Sequence, residues 1–467
     1  MFDKLLVCNR GEIAVRILRA CRELGIRTVV GYSAADRESL AVRLADETFC
    51  LGPGPAGRSY LNISAILYAL AATGATAVHP GYGFLSEDAD FAQACESVGV
   101  TFVGPPSNVI RLMGDKIAAR AAVRQVGVPC PAGTDEAVWD AATARAAAAG
   151  CGYPVVVKAA AGGGGRGMRV VRDPAELPAA VAELRRDARA MFLDDRVYVE
   201  RYVEHARHVE VQVLADGHGN VVHLGERDCS IQRRHQKLVE ESPSTVLDDE
   251  ARERLCAAAV RTARAIGYVS AGTVEFLVDD RGDVHFLEMN TRIQVEHPVT
   301  ELRCGLDLVE WMLRVAAGER LPFGQADIRL AGHAVQCRIN AEDPARGFAP
   351  SFGRVTDLRL PGGPGVRVDT HAYPGYELPP YYDSLLAKLI VHAPDRESAL
   401  HRMDRALAEL VCDGITSTAG FHRELVRHPV FRDGSHRLDF IDRYVNPDGG
   451  LRPAADPAPP PIQRREP

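Results

Sequence analysis

The sequence predicts an α/β protein of several domains. Its first hundred residues read as a doubly wound α/β unit, its middle as a strand-rich region with a compact α/β insert, and its last part as mixed α+β. Three patterns carry this reading. Short apolar strands alternate with amphipathic helices from residue 4 to 103; a glycine run separates two strands near 158–171; and residues 273–288 read as two strands around an Arg-Gly turn.

Taken in order, KLLVC (4–8) is a buried strand and NRGE a loop. A helix then runs to about Leu24, with Ile13, Ile17, Ala20, Cys21 and Leu24 at helical spacing. A strand over 27–32, a helix over 62–73, a strand over 75–78, a helix over 87–98 and a strand over 100–103 follow. The Pro- and Gly-containing loop HPGYGFLSE (79–87) interrupts the alternation. A helix over 115–126 ends at Gly127 and Pro129. The insert comes next: helix 136–149, strand 153–159, glycine run 161–168, strand 169–171, helix 174–190 and strand 197–203. Strands over 208–216 and 220–228 lead to the hairpin, with helices near 248–266 and 305–317. Beyond 330 the chain reads as strands and turns, a helix over 395–409 and an αβ remainder to about 445. The Pro-rich end from 447 is expected to be disordered.

With 467 residues, two to four domains are expected. A hydrophobic fraction of 46% and a charged fraction of 25% describe a soluble globular protein, and no apolar run approaches a membrane span. The net charge of −7 argues against broad nucleic-acid binding. The opening residues lack the pattern of a secretion signal, and the eleven scattered cysteines, with no CxxC pair, suit reduced thiols, so a cytoplasmic location is expected. Of the 55 basic residues only five are lysine: Lys4, Lys116, Lys158, Lys237 and Lys388. Arg-biased codon usage explains the scarcity but not the placement, because Lys116, Lys158 and Lys237 all fall in the motifs below.

The most telling segment is EMNTRIQVEH (288–297). In extended backbone, Glu288, Asn290, Arg292, Gln294 and Glu296 share one face. If Asp280 pairs with Asp283 in the preceding turn, Glu275 lies opposite Glu288. Two facing carboxylates repel. A divalent cation removes that penalty, and Mg²⁺ favours a few carboxylate or amide oxygens plus substrate phosphates, with Asn290 the next oxygen on the face. A solvated polar strand is the plainer alternative.

The run AGGGGRGM (161–168) follows Lys158 at the end of a strand. Glycine lets backbone amides approach phosphate. No Gly-Lys-Ser/Thr follows, so this is not a Walker A loop. Strand–glycine–strand suggests a hairpin lid over nucleotide, with Lys116 and Lys158 bracketing phosphates. RDCSIQRRHQK (227–237) brings Arg227, Arg233, Arg234, His235 and Lys237 together, either as a solvated loop or as a basic wall for anions. His208 and Glu210 alternate on a neighbouring strand.

Together, NRGEIAVR (9–16), HPGYGFLSE (79–87), GDK (114–116), KAAAGGGGRGM (158–168), RHVEVQV (207–213), RDCSIQRRHQK (227–237), EMNTRIQVEH (288–297) and PPYYDSLLAKLI (379–390) closely resemble biotin carboxylase of the ATP-grasp superfamily, over about 1–445. The resemblance implies an N-terminal domain over 1–114, an ATP-grasp domain over 115–330 with a mobile lid at 131–203, a C-terminal domain over 331–446 and a tail over 447–467. It implies ATP, Mg²⁺ or Mn²⁺, bicarbonate and carrier-bound biotin as ligands. Lys116, Lys158, Gly163, Gly164, Gly165, His208, Gln232 and His235 match nucleotide-contacting positions. Glu200 and Val203 match the hinge at adenine, and Leu277 would pack near the base. Glu275, Glu288 and Asn290 match the metal site. Arg292, Gln294, Val295 and Glu296 match the bicarbonate site. Tyr82, Gly83 and Arg338 match the biotin pocket, and Lys237 a catalytic lysine. Arg19, Glu23 and Arg367 match dimer contacts, although Pro364 replaces an aromatic residue there, and Arg201 replaces a lysine beside adenine. The implied reaction is the first half of acetyl-CoA or another acyl-CoA carboxylation. No Met precedes a Lys as in a biotinylation turn, so the carrier protein and the carboxyltransferase are expected to be separate partners. A carbamoyl-phosphate-forming ligase would call for a duplicated chain. A catalytically dead scaffold would not keep the metal and bicarbonate positions.

Overall fold

The computed structural model describes residues 1–162, 165 and 167–453. Its N-terminal sheet is five-stranded and parallel throughout. The order is Glu47–Gly52, Arg27–Ser33, Lys4–Val7, Ala77–His79, Thr101–Phe102. Chain order reverses between Lys4–Val7 and Ala77–His79. A crevice opens at such a switch point, beyond the carboxyl ends of the two strands. The two loops that meet there are NRG (9–11) and HPGYG (79–83), and Asn9 Nδ2 ties them by donating to the carbonyls of Pro80 at 2.6 Å and Tyr82 at 2.8 Å. Helix Gly11–Glu23 buries Ile13, Ile17, Ala20 and Cys21, the periodic face read from sequence. The helix expected over 87–98 is Ala89–Ser97, because Asp88 caps it by accepting from Phe91 N at 2.8 Å. Edge strand Glu47–Gly52 was not anticipated. Its mostly exposed residues carry no core periodicity.

The insert is a three-stranded antiparallel sheet, Met168–Val171, Val155–Ala159, Val197–Arg201, with helices Ala141–Cys151 and Leu177–Phe192. Its core is small and wholly aliphatic: Val138, Val155, Val157, Val171, Leu177, Val181, Leu184, Val197 and Val199 with two alanines.

An eight-stranded sheet forms the body: Val284–Asn290, Ser270–Val278, Arg207–Ala215, Val221–Arg233, Gln236–Ser242, His333–Asn340, Leu385–Ala393, Val366–Thr370. It runs on across residue 330, since Gln236–Ser242 pairs with His333–Asn340 in the register Val239↔Cys337, Glu240↔Gln336. That continuity brings Arg338 beside residues a hundred positions earlier. The end of the chain departs from expectation. Residues 447–453 of the expected disordered tail form a turn, with Val445 bridged to Leu451 and Arg452 N donating to Tyr444 O at 2.7 Å. Leu451 packs on the C-terminal core, and apolar contact outweighs local proline content there. The rest of that tail, 454–467, lies outside the described residues, as do Gly163 and Gly164. Among the described residues no helix is long and apolar enough to cross a membrane.

Candidate active site

The hairpin Ser270–Val278/Val284–Asn290 sets one wall of the site. Glu275 does pair with Glu288, by a route the simple count missed. The turn closes on Asp279 and Asp283, because Asp279 Oδ1 accepts from the amides of Arg281 and Asp283 at 2.9 Å each. The register that follows is Phe276↔Phe286, one residue off, and a bulge at Leu287 restores Glu275↔Glu288. A bulge re-aims side chains, and Leu287 lines the cavity. The extended backbone expected through Glu296 ends at Asn290. Residues 291–296 turn, and Glu296 precedes helix His297–Cys304. Glu288, Asn290, Arg292, Gln294 and Glu296 nevertheless face one space.

That space is a cavity of about 300 Å³. It gathers Lys116, Lys158, Gly165, His208, Gln232, His235, Lys237, Glu288, Asn290, Arg292, Gln294, Val295 and Glu296 from five of the quoted motifs, with Glu275 and Arg338 from two further strands. Gly167, Met168, Gln236 and Leu287 also line it and were not singled out. Glu200, Val203, Leu277, Tyr82 and Gly83 do not line it. Glu200 is buried between Arg120 and Lys158, and thereby fixes the lysine. Leu277 pairs with His208 and His285 one strand away, and Val203 follows the last lid strand. Tyr82 sits in the switch-point crevice, its hydroxyl donating to Glu12, which pairs with the fully buried Lys388 at 3.0 Å. Gly83 takes φ +67° beside it, a conformation glycine adopts freely.

Lys237 is the hub of the floor. Its Nζ donates to Glu210 Oε2 at 2.5 Å, Glu275 Oε1 at 2.9 Å and Glu296 Oε1 at 2.7 Å. Burial works against its charge, but the three carboxylates outweigh it and hold its pKa well above the ordinary value. Glu296 also accepts from Arg338 Nη2 at 2.9 Å. Burial pushes its carboxyl up, yet Lys237 and Arg338 win and leave it below the usual range, so it is ionised. Glu240, which no pattern marked, shares Arg338 at 2.5 Å and is pushed up by burial. Two carboxyl groups on one arginine are thus driven apart, the signature of acid–base sites. Glu275 is likewise opposed by burial but lowered to about 2 by Lys237 and His208. Reciprocally, burial disfavours the His208 cation while Glu275 raises it to about 9.

The basic loop does not act as one wall. Arg227 lies fully buried beneath the floor, Lys237 forms the floor, and His235 stands at the rim in a left-handed turn with Arg234, at φ +64° and +49°. Arg233 turns away onto the Phe348 ring at 4.6 Å. Glu87, the last residue of HPGYGFLSE, reaches the site: it accepts from Arg292 Nε at 2.9 Å and from Thr291 N at 3.0 Å. The motif was visible in the sequence, but nothing in it told which residue would cross over. Arg292 Nη2 donates to Asn290 Oδ1 at 2.5 Å.

Two carboxylates and an amide oxygen are hard donors suited to Mg²⁺ or Mn²⁺. Lys116 Nζ, 2.5 Å from Glu288 Oε2, supplies a positive charge where a cation would otherwise balance that carboxylate. Glu275, Glu288 and Asn290 therefore fit the group.

Family models match almost end to end: "Biotin carboxylase, N-terminal domain" over 1–110, "Carbamoyl-phosphate synthase L chain, ATP binding domain" over 115–323 and "Biotin carboxylase C-terminal domain" over 336–443. A biotin carboxylase of Pseudomonas aeruginosa is 53% identical over 449 residues, 96% of this chain and all of that one. A pyruvate carboxylase subunit from Methanothermobacter thermautotrophicus is 51% identical over 95% of this chain and 90% of that one. The biotin carboxylase domain of Hydrogenobacter thermophilus 2-oxoglutarate carboxylase, a dimer solved with MgADP, ADP and bicarbonate, superposes with a TM-score of 0.92. It is 48% identical and covers 95% of this chain and 98% of that one. The chain belongs to the biotin carboxylase family and is a ligase that uses ATP and bicarbonate to carboxylate biotin.

Proposed function

We propose that Glu296, Arg292, Lys237 and Arg338 run both steps, bicarbonate activation and biotin carboxylation, in the one cavity. The observation that carries this is the ionised Glu296, held between Lys237 and Arg338 and beside Arg292. Glu296 takes the bicarbonate proton as general base. In the absence of substrate its basicity is suppressed by its two cations. When bicarbonate arrives, Lys237 re-partners with the incoming anion, and the proton affinity of Glu296 rises. Arg292 holds the anion by charge-assisted hydrogen bonds. The bicarbonate oxygen attacks the γ-phosphorus, ADP leaves, and carboxyphosphate forms. Lys116 and Lys158 neutralise the phosphates, the glycine run reaches them at Gly165, and Gln232, His208 and His235 flank them. Glu275, Glu288 and Asn290 would hold Mg²⁺ or Mn²⁺, which supplies charge neutralisation at the transferring group.

Carboxyphosphate then breaks to CO₂ and phosphate. Phosphate takes the ureido N–H proton, the nitrogen attacks CO₂, and Arg338 stabilises the developing enolate oxygen. Tyr82 and Gly83 border the biotin path, and Glu200, Val203 and Leu277 border adenine. The lid at 131–203 closes over the nucleotide as part of the ATP-grasp unit 115–330, between domains 1–114 and 331–446.

Biotin arrives on a separate carrier protein, and a separate carboxyltransferase takes the carboxyl group to acetyl-CoA or another acyl acceptor. Relatives of nearly equal identity are named for different carboxylases, so identity alone does not select the acceptor. The chain works as a cytoplasmic homodimer through Arg19 and Glu23. Arg367 is already held internally, by Glu301 at 2.7 Å and Asp369 at 2.8 Å. The test is ATP hydrolysis with and without bicarbonate, alongside carboxylation of free biotin. Hydrolysis that ignores bicarbonate would overturn the reading.

A further inference from the structure

Beneath the floor lies a side chain that the mechanism does not use. Arg227 has no exposed surface, and its guanidinium makes five hydrogen bonds. Nε donates to Glu210 Oε1 at 2.7 Å; Nη1 donates to Gln212 Oε1 at 2.7 Å and Thr300 Oγ1 at 3.0 Å. Nη2 donates to Thr273 Oγ1 at 3.2 Å and to Gln294 Oε1 at 2.6 Å. Five is the full donor complement of arginine. Four acceptors from three other elements fix the plane of the fork, and the fifth is a residue of the cavity.

We propose that Arg227 is a positioning residue for bicarbonate: it fixes the Gln294 amide so that Nε2 faces the anion. The inference rests on the reading of Gln294 as a bicarbonate contact. A glutamine amide can rotate by half a turn at little steric cost, and one orientation would turn an acceptor oxygen toward the anion. Guanidinium donates and never accepts. Only Oε1 can therefore face Arg227, and Nε2 is forced to the opposite side. There it donates to Glu275 Oε1 at 2.8 Å, at the edge of the cavity. Arg227 thus selects a donor at a position where the sequence offers a donor or an acceptor. It also keeps Glu210 charged against Lys237, so both effects act through other residues rather than on substrate.

The experiment measures bicarbonate-dependent ATP hydrolysis and takes KM for bicarbonate and for ATP separately. Arg227→Lys keeps a cation beside Glu210 but lacks the planar fork. It is compared with Gln294→Ala and with the double variant. Each single variant should raise the bicarbonate KM about tenfold while the ATP KM stays within about twofold. The double variant should be no worse than Gln294→Ala, because Arg227 acts through that side chain. An unchanged bicarbonate KM in folded Arg227→Lys, or multiplicative effects in the double variant, overturns the proposal. Should Gln294→Ala leave the bicarbonate KM unchanged, the underlying reading of Gln294 fails, and the inference with it. Thr300→Val removes one anchor of the fork with little change of shape. It should raise the bicarbonate KM alone by about threefold, and serves if Arg227→Lys does not fold; no change there overturns the proposal too.

Discussion

The floor and the lid of the cavity are built from opposite materials. The floor is a closed charge network. Lys237 touches three carboxylates, Arg227 is saturated beneath it, and Glu296, Glu210 and Glu275 are almost wholly buried. Removing one member of such a network leaves its partner charged and unpaired in low dielectric, which costs several kcal/mol. The lid has a core of valines, leucines and alanines. Its polar ties to the body include the buried Lys158–Glu200–Arg120 chain. Aliphatic contacts are non-directional, and they hold the lid together as one unit. The floor holds its geometry before substrate arrives, and closure is the proposed task of the lid.

This contrast is broken most severely at Glu296. Glu296→Gln keeps the shape but removes the base and one partner of Lys237 and Arg338. Bicarbonate-dependent ATP cleavage and biotin carboxylation should both fall about a thousandfold. Retention of either in the folded variant would remove Glu296 from its role as base.

Arg338 separates bicarbonate activation from biotin carboxylation. Arg338→Gln should slow carboxylation of free biotin about a hundredfold, equivalent to about 3 kcal/mol, while ATP cleavage stays within about fivefold. The measured quantity is the ratio of ATP cleaved to carboxybiotin formed. Arg338 also touches Glu240 and Glu296, so a purely structural arginine would lower both activities together and leave that ratio at the wild-type value.

Acid sharpens the comparison because the lid at 131–203 contains none of the chain's 15 histidines. In the body, burial holds His79 and His371 neutral with pKa values lowered to about 3, and His422 to about 4. A group whose folded pKa is depressed lends stability above its unfolded value, near 6.5, and loses it as pH falls toward the folded one. Between pH 7.5 and pH 5, His79 and His371 should each cost the body about 2 kcal/mol. Hydrogen exchange at matched intrinsic rate should show protection falling in Ala77–His79 and its neighbours, while Val155–Ala159 in the lid changes far less. Equal loss in both regions would refute the assignment.

The sequence made the periodic parts legible. Helix Gly11–Glu23 and the lid strands follow from apolar spacing, because burial there is local and regular. The site was legible where the chemistry is concentrated in one segment, as in 288–296. It was not legible where a partner comes from afar. Glu240 reaches Arg338 only because two strands a hundred residues apart pair, and Glu87 reaches Arg292 across more than two hundred positions. The hairpin shows a subtler limit. Glu275 opposite Glu288 was read from a uniform register, whereas a turn one residue off and a bulge at Leu287 cancel to give the same pair.

The smallest effect tests the contact between the two regions. Gly165 takes φ +73°, and a Cβ there would lie 2.3 Å from the Cβ of His235 at the rim of the floor. His235 is itself held in a left-handed turn and has little room to retreat. Gly165→Ala should therefore hold the lid away from the floor. Any added side chain also pays the left-handed backbone penalty of roughly 1–2 kcal/mol, which has to be separated from the collision. Gly152 provides the control, since it lies in the lid at φ +75° with nothing within 4 Å of its added Cβ. With ψ 141° Gly152 lies outside the left-handed well, so Gly152→Ala bears at least as much backbone strain but not the contact. The expected result is an ATP KM raised about tenfold by Gly165→Ala and changed less than about twofold by Gly152→Ala, although Gly152→Ala loses at least as much in Tm. Equal KM values for the two variants would mean that the lid closes without resting on His235. The division into a rigid floor and a lid seated on it would then have to be redrawn.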